Sequence, residues 1–468
     1  MGRLISAGQA VRTGLVAVVV AGTLAGCSWV KDPDADQSDD PTSTASTSAQ
    51  PLPAERPTAV PTAFNSPGST TFPETGVRAV GAGDDAIVTM TAGSAVGRVL
   101  PSTETAYTLT STGGQFTDLE VDRTAGWGIL LEAANEAGSG TFVGEDTFTV
   151  TRFDLETGEL LDVATAVLPQ DAEGEALPAT ARIMGMAGDV VVIEASVGET
   201  GSRAVLAVDI ELDDVLWRQR PARVLDVTDD LVVLNTGLAQ RPGAVEAVDL
   251  ATGERAWRSL RGTVDATAIG STDDTVTVVR SLGVTTKPAI VPLDLRTGTP
   301  GAPTETRRWN WACSETSGTI RVCTMADDDD VVGWDLATGE PAWSLPTEDR
   351  FAPLVTLVQD DLVYGLLDSG VGVVLNAVTG QDVADNTGAG PVAVNNWGGA
   401  LLYQEVAVFL PSFDGGESTA PTEPRESPSE GPSESPSDGV SESPTDGPSD
   451  VESESPSTTP DASSTVED

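Results

Sequence analysis

The chain has 468 residues, of which 72 are Asp or Glu, 25 are Lys or Arg and none is His, so its formal net charge is −47. This excess of negative charge disfavours binding to nucleic acids, because their phosphate backbone would be repelled. The lack of histidine excludes catalysis by Ser–His or Cys–His pairs, and it also excludes His-ligated zinc or haem.

The first 26 residues have the organisation of an export signal. Arg3 and Arg12 precede an apolar run over residues 14–25, which is shorter than the roughly 20 residues that a membrane-spanning helix needs. The run ends in Leu-Ala-Gly-Cys27, which resembles a bacterial lipobox. That resemblance implies cleavage before Cys27 and diacylation of its thiol, and two acyl chains suffice for stable anchoring. We therefore predict attachment to the cell membrane, on its extracytoplasmic side; the alternative is an ordinary secretory signal followed by an unrelated cysteine.

Residues 27–75 are rich in Ser, Thr, Pro and Ala and show no apolar periodicity. Such a composition cannot bury a core, so this segment is predicted to be a disordered, lipid-anchored linker. It would hold the folded part of the chain away from the bilayer.

Residues 76–413 contain a repeated hairpin, which is clearest in the eleven residues that end at Trp257. Val248 and Leu250 alternate with polar residues as in a strand, and Asp249 can cap the turn that follows. Gly253 supplies the positive φ of that turn, and Trp257 lies on the returning strand, where it can cover the seam to a neighbouring sheet. The segment is therefore predicted to be the outer hairpin of one propeller blade.

Weaker copies of this hairpin recur along the domain, with successive Asp or Asn positions 55, 40, 45, 41 and 41 residues apart. A period in the forties fits four short antiparallel strands with their turns, which is the period of β-propellers. The blade-repeat residues are Asp154, Gly158, Asp209, Trp217, Asp249, Gly253, Trp257, Asp294, Gly298, Asp335, Gly339, Trp343, Asn376 and Gly380.

The repeat predicts an all-β domain, a propeller of four-stranded antiparallel blades. Six copies account for six blades, and residues 77–109 and 391–410 could combine into a seventh whose strands come from both ends of the domain. Seven blades is the prediction, and eight is the alternative because the 55-residue spacing and the long N-terminal segment leave room for another blade.

Cys313 and Cys323 are placed symmetrically about Gly318 in a predicted hairpin, and an exported protein meets an oxidising environment. A cross-strand disulfide is predicted, with two unpaired thiols as the alternative. The run Asp327, Asp328, Asp329 and Asp330 is a weak candidate for a Ca²⁺ site; the alternative is an exposed turn, because neighbouring carboxylates at a strand end point in opposite directions.

Residues 414–468 form a Ser- and Pro-rich tail with 15 acidic residues against one basic residue, Arg425. Proline at a four-residue spacing prevents a helix, and the charges repel one another, so the tail is predicted to be extended and disordered. Its simplest role is to solubilise or space the domain; glycosylation of its hydroxyls and weak cation binding are the alternatives.

The pattern Ala-x-Asp-x-x-x-Gly-x-x-x-Trp, complete from Ala247 to Trp257, resembles the pyrroloquinoline-quinone-like β-propeller repeat. That resemblance implies one of two classes, the non-catalytic BamB-type lipoproteins or the quinoprotein dehydrogenases. The dehydrogenases hold their quinone under a disulfide between adjacent cysteines, beside a carboxylate-bound Ca²⁺, whereas Cys313 and Cys323 are ten positions apart. No residue matches a catalytic base by motif.

From these observations we predict a non-catalytic protein, monomeric and without a cofactor, that binds other cell-envelope proteins as a scaffold. Two alternatives remain open at this point. The first is a dehydrogenase that uses the quinone and Ca²⁺, and the second is a sensor that binds a small molecule or a glycan in the propeller channel.

Overall fold

The structure is a computed structural model, and it describes residues 56–64, 68–136, 145–169, 180–197, 202–237, 241–283, 286–306, 311–316, 318–325 and 328–413. The predicted signal peptide, Cys27, most of the predicted linker and the acidic tail lie outside these residues. Within them, no helix is long and apolar enough to cross a membrane.

The described residues form eight four-stranded antiparallel sheets, which are the blades of an all-β propeller. The first four blades are β2 (Ala79–Ala82), β3 (Ala86–Met90), β4 (Ser94–Val99) and β5 (Glu104–Thr110) in blade 1; β6 (Gln115–Asp122), β7 (Trp127–Glu136), β8 (Glu145–Asp154) and β9 (Leu160–Pro169) in blade 2; β10 (Thr180–Ala187), β11 (Val190–Val197), β12 (Ser202–Asp209) and β13 (Asp214–Gln219) in blade 3; and β14 (Arg223–Val227), β15 (Leu231–Asn235), β16 (Gly243–Asp249) and β17 (Arg255–Thr263) in blade 4.

The second half of the ring is built in the same way and ends in a closing blade. Its strands are β18 (Asp265–Ser271), β19 (Thr275–Ser281), β20 (Ala289–Asp294) and β21 (Thr304–Glu305) in blade 5; β22 (Trp311–Glu315), β23 (Ile320–Met325), β24 (Asp328–Asp335) and β25 (Glu340–Leu345) in blade 6; β26 (Leu354–Gln359), β27 (Leu362–Leu366), β28 (Gly372–Asn376) and β29 (Asp382–Asp385) in blade 7; and β30 (Ala393–Asn395), β31 (Gly398–Tyr403), β32 (Val406–Pro411) and β1 (Thr70–Thr71) in blade 8.

The propeller has eight blades, so the prediction of seven was wrong and its alternative was right. Residues 77–109 do not share a blade with residues 391–410, because they contain nearly all of the four strands of blade 1. Blade 1 went uncounted because its outer hairpin has neither the Asp-to-Gly turn nor a tryptophan. Residues 391–410 supply the strands β30 to β32, and the fourth strand of blade 8 is β1.

Strand β1 shows that the folded domain begins earlier in the chain than predicted. Thr70 pairs with Phe409 and Thr71 with Val408, and Phe64 pairs with Ser412 in an isolated bridge. The ring therefore includes residues N-terminal to the boundary that was predicted at residue 76. These N-terminal residues were not predicted to belong to the ring, because a two-residue strand within a Ser/Thr/Pro-rich segment has no detectable periodicity.

The core lies in the seams between blades. The middle strands of each blade are covered on both faces, so they read as nearly continuous apolar runs, such as Leu231–Asn235 with the sequence LVVLN. At the seam of blades 2 and 3, for example, Phe148 and Val150 pack in one cluster with Ile193 and Leu206. The ring is thus held by the faces of its sheets, and its two rims remain available for other contacts.

The two rims differ in their connections. One rim, the short-turn face, carries the turns between the first and second and between the third and fourth strands of each blade. Most of these are tight, as from Asp209 to Asp214, although the turn from Asp294 to Thr304 is longer. The other rim, the long-connection face, carries the remaining links, including those from Glu136 to Glu145 and from Pro169 to Thr180.

Candidate interaction faces of the ring

The repeated Asp, replaced by Asn in blade 7, caps the outer turn of blades 2 to 7. Asp249 Oδ1 accepts hydrogen bonds from the backbone N–H and the hydroxyl of Thr252, both at 2.8 Å. The backbone N–H of Gly253 donates to the carbonyl of Asp249 at 2.8 Å, which closes the same turn. Equivalent caps are formed by Asp154, Asp209, Asp294, Asp335 and Asn376. The structure therefore gives these side chains a local role in holding hairpins on the short-turn face.

The repeated tryptophan joins each hairpin to the next blade. Trp257 Nε1 donates to the carbonyl of Leu295 at 2.7 Å, and the indole lies against Gly298. Trp217 makes the same bond to Leu250 at 2.7 Å, and Trp343 makes it to Ala377 at 2.8 Å. The matching glycines are Gly253 and Gly380. Each Trp–Gly pair thus links two hairpins that are more than 30 residues apart.

In blade 1 a tyrosine, which no repeat motif marks in the sequence, makes the equivalent contacts. The hydroxyl of Tyr107 donates to the carbonyl of Leu155 at 3.1 Å, and its ring lies against Gly158. Burial, and then the nearby Asp154, raise the pKa of the Tyr107 hydroxyl, so it remains a donor. Among the described residues, none lies within 4 Å of the position that a Cβ atom would take at Gly339.

Ionisable groups with shifted pKa values are engaged in this scaffolding. The bonds from Thr157 lower the pKa of Asp154, and those from Thr297 lower the pKa of Asp294. Burial opposes the same effect at Asp335, but its bonds to the turn and to Thr319 still lower its pKa. Burial raises the pKa of Asp118, whose carboxylate accepts from the backbone N–H of Ile183 in the next blade at 2.9 Å.

The caps predict a specific response to acid. Because folding lowers the pKa of Asp154, Asp294 and Asp335, their contribution to stability is complete above the unfolded value of about 3.9 and is lost as the pH falls through the lower folded values. Replacing all three by Asn keeps an oxygen acceptor, as Asn376 does naturally, and removes the titration. In urea unfolding between about pH 5 and pH 2, the triple variant should lose stability less steeply than the native chain. If the free energy of unfolding falls equally steeply with pH in both chains, the caps do not depend on the ionisation of these carboxylates.

The closing seam between blades 8 and 1 is held by long-range polar contacts. The buried Arg98 pairs with Glu74, and its guanidinium lies over the ring of Phe72, 4.3 Å from the ring centroid. Trp397 Nε1 donates to Asp85 at 2.8 Å. Glu74 and Phe72, which lie between β1 and β2, are thus joined to blade 1, and Trp397 joins blade 8 to blade 1. The ring is therefore closed by side chains as well as by strand β1.

Both ends of the described chain lie on the short-turn face. Arg56 pairs with Asp84 at 3.0 Å, in the turn between β2 and β3, and the carbonyl of Pro57 accepts from Asn396 at 2.8 Å. Phe413, the last described residue, donates its backbone N–H to the carbonyl of Ala63 at 3.0 Å. A hollow of about 700 Å³ beside Arg56 is lined by side chains that include Leu100 and Trp397. This face therefore carries the roots of both terminal segments.

The long-connection face carries the largest exposed apolar anchor. Phe351 is 82% exposed, more than any other large hydrophobic side chain in the described part of the chain, and Leu354 at the start of β26 is 67% exposed. Leu212, at 69%, lies instead at the tip of an outer hairpin on the short-turn face. A hollow of about 450 Å³ also opens on the long-connection face, between Arg78, Gln115 and Asn135.

The structure bears on two further predictions, the disulfide between Cys313 and Cys323 and the Ca²⁺ site at the run of Asp residues. Cys313 and Cys323 are directly opposed on β22 and β23, with Cα atoms 4.0 Å apart, and they form the predicted disulfide. Asp327 lies outside the described residues, and Asp330 has a polar partner of its own. Among the residues that the structure describes, no cluster of three or more acidic or sulfur ligands could hold a metal ion.

These features define an eight-bladed propeller with two chemically different rims. No family model and no curated protein matches the sequence. Among solved structures, the chain is similar to the computationally designed Ika8 protein, with TM-score 0.48, 18% identity and coverage of 72% of this chain and 94% of that one. It is also similar to BamB from Moraxella catarrhalis, with TM-score 0.45, 15% identity and coverage of 75% and 100%, and to the C-terminal WD40 domain of Sif2, with TM-score 0.45, 10% identity and coverage of 77% and 98%. At these identities the similarities concern the fold alone.

Proposed function

We propose that this protein is a lipid-anchored, non-catalytic scaffold of the cell envelope, built from repeats of the pyrroloquinoline-quinone-like type, which binds other envelope proteins through its long-connection face. The observation that carries the proposal is the position of the chain ends. Arg56 and Phe413 both lie on the short-turn face, so an anchor at Cys27 would attach the ring by that face. The opposite rim would then be the one that the tether leaves free to bind partners.

The chemistry of the two rims supports this division. On the short-turn face, the repeated carboxylates are engaged by backbone N–H groups of their own turns, as Asp249 is by Thr252. Repetition of one turn gives little basis for recognising a particular partner. Connections of unequal length are where binding residues usually concentrate, and Phe351 is an aromatic anchor of the kind that dominates interface energies.

The disulfide favours the scaffold over the dehydrogenase alternative. The quinoproteins that the repeat resembles use a bond between adjacent cysteines to cover their cofactor. In this chain Cys313 and Cys323 are bonded to each other across a hairpin of blade 6, and the remaining cysteine is the proposed lipidation site. The disulfide therefore serves as a cross-strand link, which stabilises a hairpin and leaves no adjacent pair.

Site-specific photo-crosslinking in the native host tests the proposed face. A photoreactive residue is placed at Phe351 on one rim and, as a matched control, at Leu212 on the other, because both side chains are well exposed. We expect discrete protein adducts from position 351 that Leu354→Asp reduces about tenfold or more, since a charge would have to be buried in the interface. Membrane association should be lost in Cys27→Ala.

Two results would contradict this assignment. Adducts from position 212 that equal or exceed those from position 351 would place the partner on the wrong rim. Retention of the Cys27→Ala chain in washed membranes would remove the anchor on which the orientation depends. Unchanged thermal unfolding of Leu354→Asp is the control for folding.

A further inference from the structure

The outer strand of blade 2 is unusual in its exposed apolar side chains. Strand β9 is ten residues long, with the sequence LLDVATAVLP. Leu160 is 54% exposed, Leu161 47%, Val163 44% and Val167 37%. The one charged residue of β9, Asp162, is paired with Arg152, whereas the outer strands of other blades carry exposed charges, such as Arg255 and Arg258 on β17. Proteins normally protect edge strands with such charges, so a long apolar edge indicates a partner.

These exposed apolar side chains of β9 do not pack in the seam between blades 2 and 3. Side chains alternate along β9, and Ala164, Ala166 and Leu168 are buried in the seam with blade 3. The small alanines let blade 3 approach closely, and Trp127 of β7 packs against the same cluster. Val163 and Val167 belong to the opposite face of the strand. Their exposure is therefore not a by-product of packing between blades 2 and 3.

The backbone edge of β9 is covered over only part of its length. Asp213 accepts a hydrogen bond from the N–H of Thr165 at 2.9 Å, and Arg218 donates to the carbonyl of Val167 at 3.2 Å. These bonds show that alternate residues of β9 direct their backbone groups away from β8. Val163 is in the same alternation, so its N–H and C=O face the same free edge, beyond the two side chains from blade 3.

An extended segment is the ligand that such an edge recognises. Backbone groups at a sheet edge pair with a further strand, and the alternating side chains of that strand meet the exposed apolar ones. Glu159 precedes the first residue of β9, Asp213 lies on its edge at Thr165, and residues 76–413 carry a formal net charge of −30. A second copy of the same acidic ring would be repelled, whereas basic residues at the ends of the added strand would be attracted.

We infer that the free edge of β9, around Val163, is a second docking site, which binds an extended apolar segment with basic flanks from another protein by β-strand addition. This site is distinct from the long-connection face and does not depend on the lipid anchor. Each observation specifies one feature of that partner. The exposed apolar side chains of β9 require an apolar segment, its partly uncovered backbone edge requires an extended one, and the surrounding acidity requires basic flanks.

A labelled peptide of alternating Val and Thr with two Lys at each end is the probe, and binding to the purified full-length chain in detergent is measured by fluorescence anisotropy. We expect saturable binding that is weakened about tenfold or more by Val163→Pro, because proline removes an N–H that faces the edge without removing a bond to β8. Leu282→Pro, at an exposed position of blade 5 away from this edge, should leave affinity unchanged. A Glu-flanked peptide and a peptide with a central Pro should bind at least tenfold more weakly.

The inference would be overturned by equal binding to the native chain and Val163→Pro, by indifference to the flanking charge, or by the absence of binding. Val163→Thr, which keeps both the N–H and the β-branched shape, separates misfolding from edge blockage: it should retain most of the affinity. Concentration-dependent self-association that Val163→Pro abolishes would assign the edge to a second copy instead. A failure here would leave the crosslinks from position 351 unaffected, so the two docking sites are tested independently.

Discussion

Replacing Gly298 with Ala should destabilise the propeller far more than replacing Gly339 with Ala. Both glycines have a positive φ, +68° and +71°, so both variants carry a backbone cost of about 1–2 kcal/mol. A Cβ atom at position 298 would also lie 2.5 Å from Cε3 of Trp257, whereas one at position 339 would meet no atom within 4 Å. Displacing the indole adds about 1–3 kcal/mol at position 298 alone. Urea unfolding of the two variants measures the difference directly.

A double-mutant cycle identifies the cause of that difference. Trp257→Ala should itself cost about 3–5 kcal/mol, because a buried indole and its bond to Leu295 are lost. If the excess at position 298 comes from the indole, adding Gly298→Ala to Trp257→Ala should cost no more than Gly339→Ala does in the native chain. Full additivity of the two changes, or equal effects at positions 298 and 339, would contradict the pairing of Trp257 with Gly298.

A chain that begins at residue 76 should fail to form a stable ring, whereas one that begins at residue 56 should be as stable as the full mature chain. The shorter chain loses strand β1 and Phe72, which is 2% exposed. It also loses Glu74 and so leaves Arg98 buried without its carboxylate, a loss that typically costs about 3–5 kcal/mol. Removing a buried phenylalanine adds about 3–5 kcal/mol. Thermal unfolding followed by circular dichroism distinguishes the two chains.

The point variant Glu74→Gln separates the ion pair from the rest of the closing segment. It keeps Phe72 and the strand, so it should fold with reduced stability, intermediate between the two shortened chains. Equal melting temperatures for the chains that begin at residues 56 and 76 would contradict closure by the N-terminal segment. Such a result would mean that blade 8 is stable with three strands.

The sequence predicted the parts of the fold that depend on short-range interactions. The cap that Asp249 forms involves Thr252 and Gly253, only three and four residues away, so the turn is visible as a motif. The Cys313–Cys323 bond follows from the symmetry of one hairpin. The all-β propeller was predicted correctly for the same reason, because each blade is a local meander and the period of the repeat is visible in the sequence.

The candidate interaction faces were much less visible. Phe351 and Leu354 differ in no way, as sequence, from the buried Phe and Leu residues elsewhere in the propeller. Tyr107 occupies the place of a tryptophan, but its turn lacks the Asp and Gly that would mark it. The apolar edge of β9 looks like any half-buried strand, since its exposure depends on how blade 3 packs against it. Only the resemblance to a lipobox at Cys27 offered a functional signal, and that segment lies outside the described residues.

By itself, the sequence determined the hairpin caps, the alternation of the strands and the repeat that makes a propeller, because those interactions join residues only a few positions apart. Only the tertiary structure decided the number of blades, the closing strand Thr70–Thr71 and the rim from which both chain ends leave. These features rest on contacts such as Tyr364 with Pro61, whose 2.9 Å bond spans 303 residues. A contact of that range depends on how all the intervening blades stack, and no local pattern of residues records it.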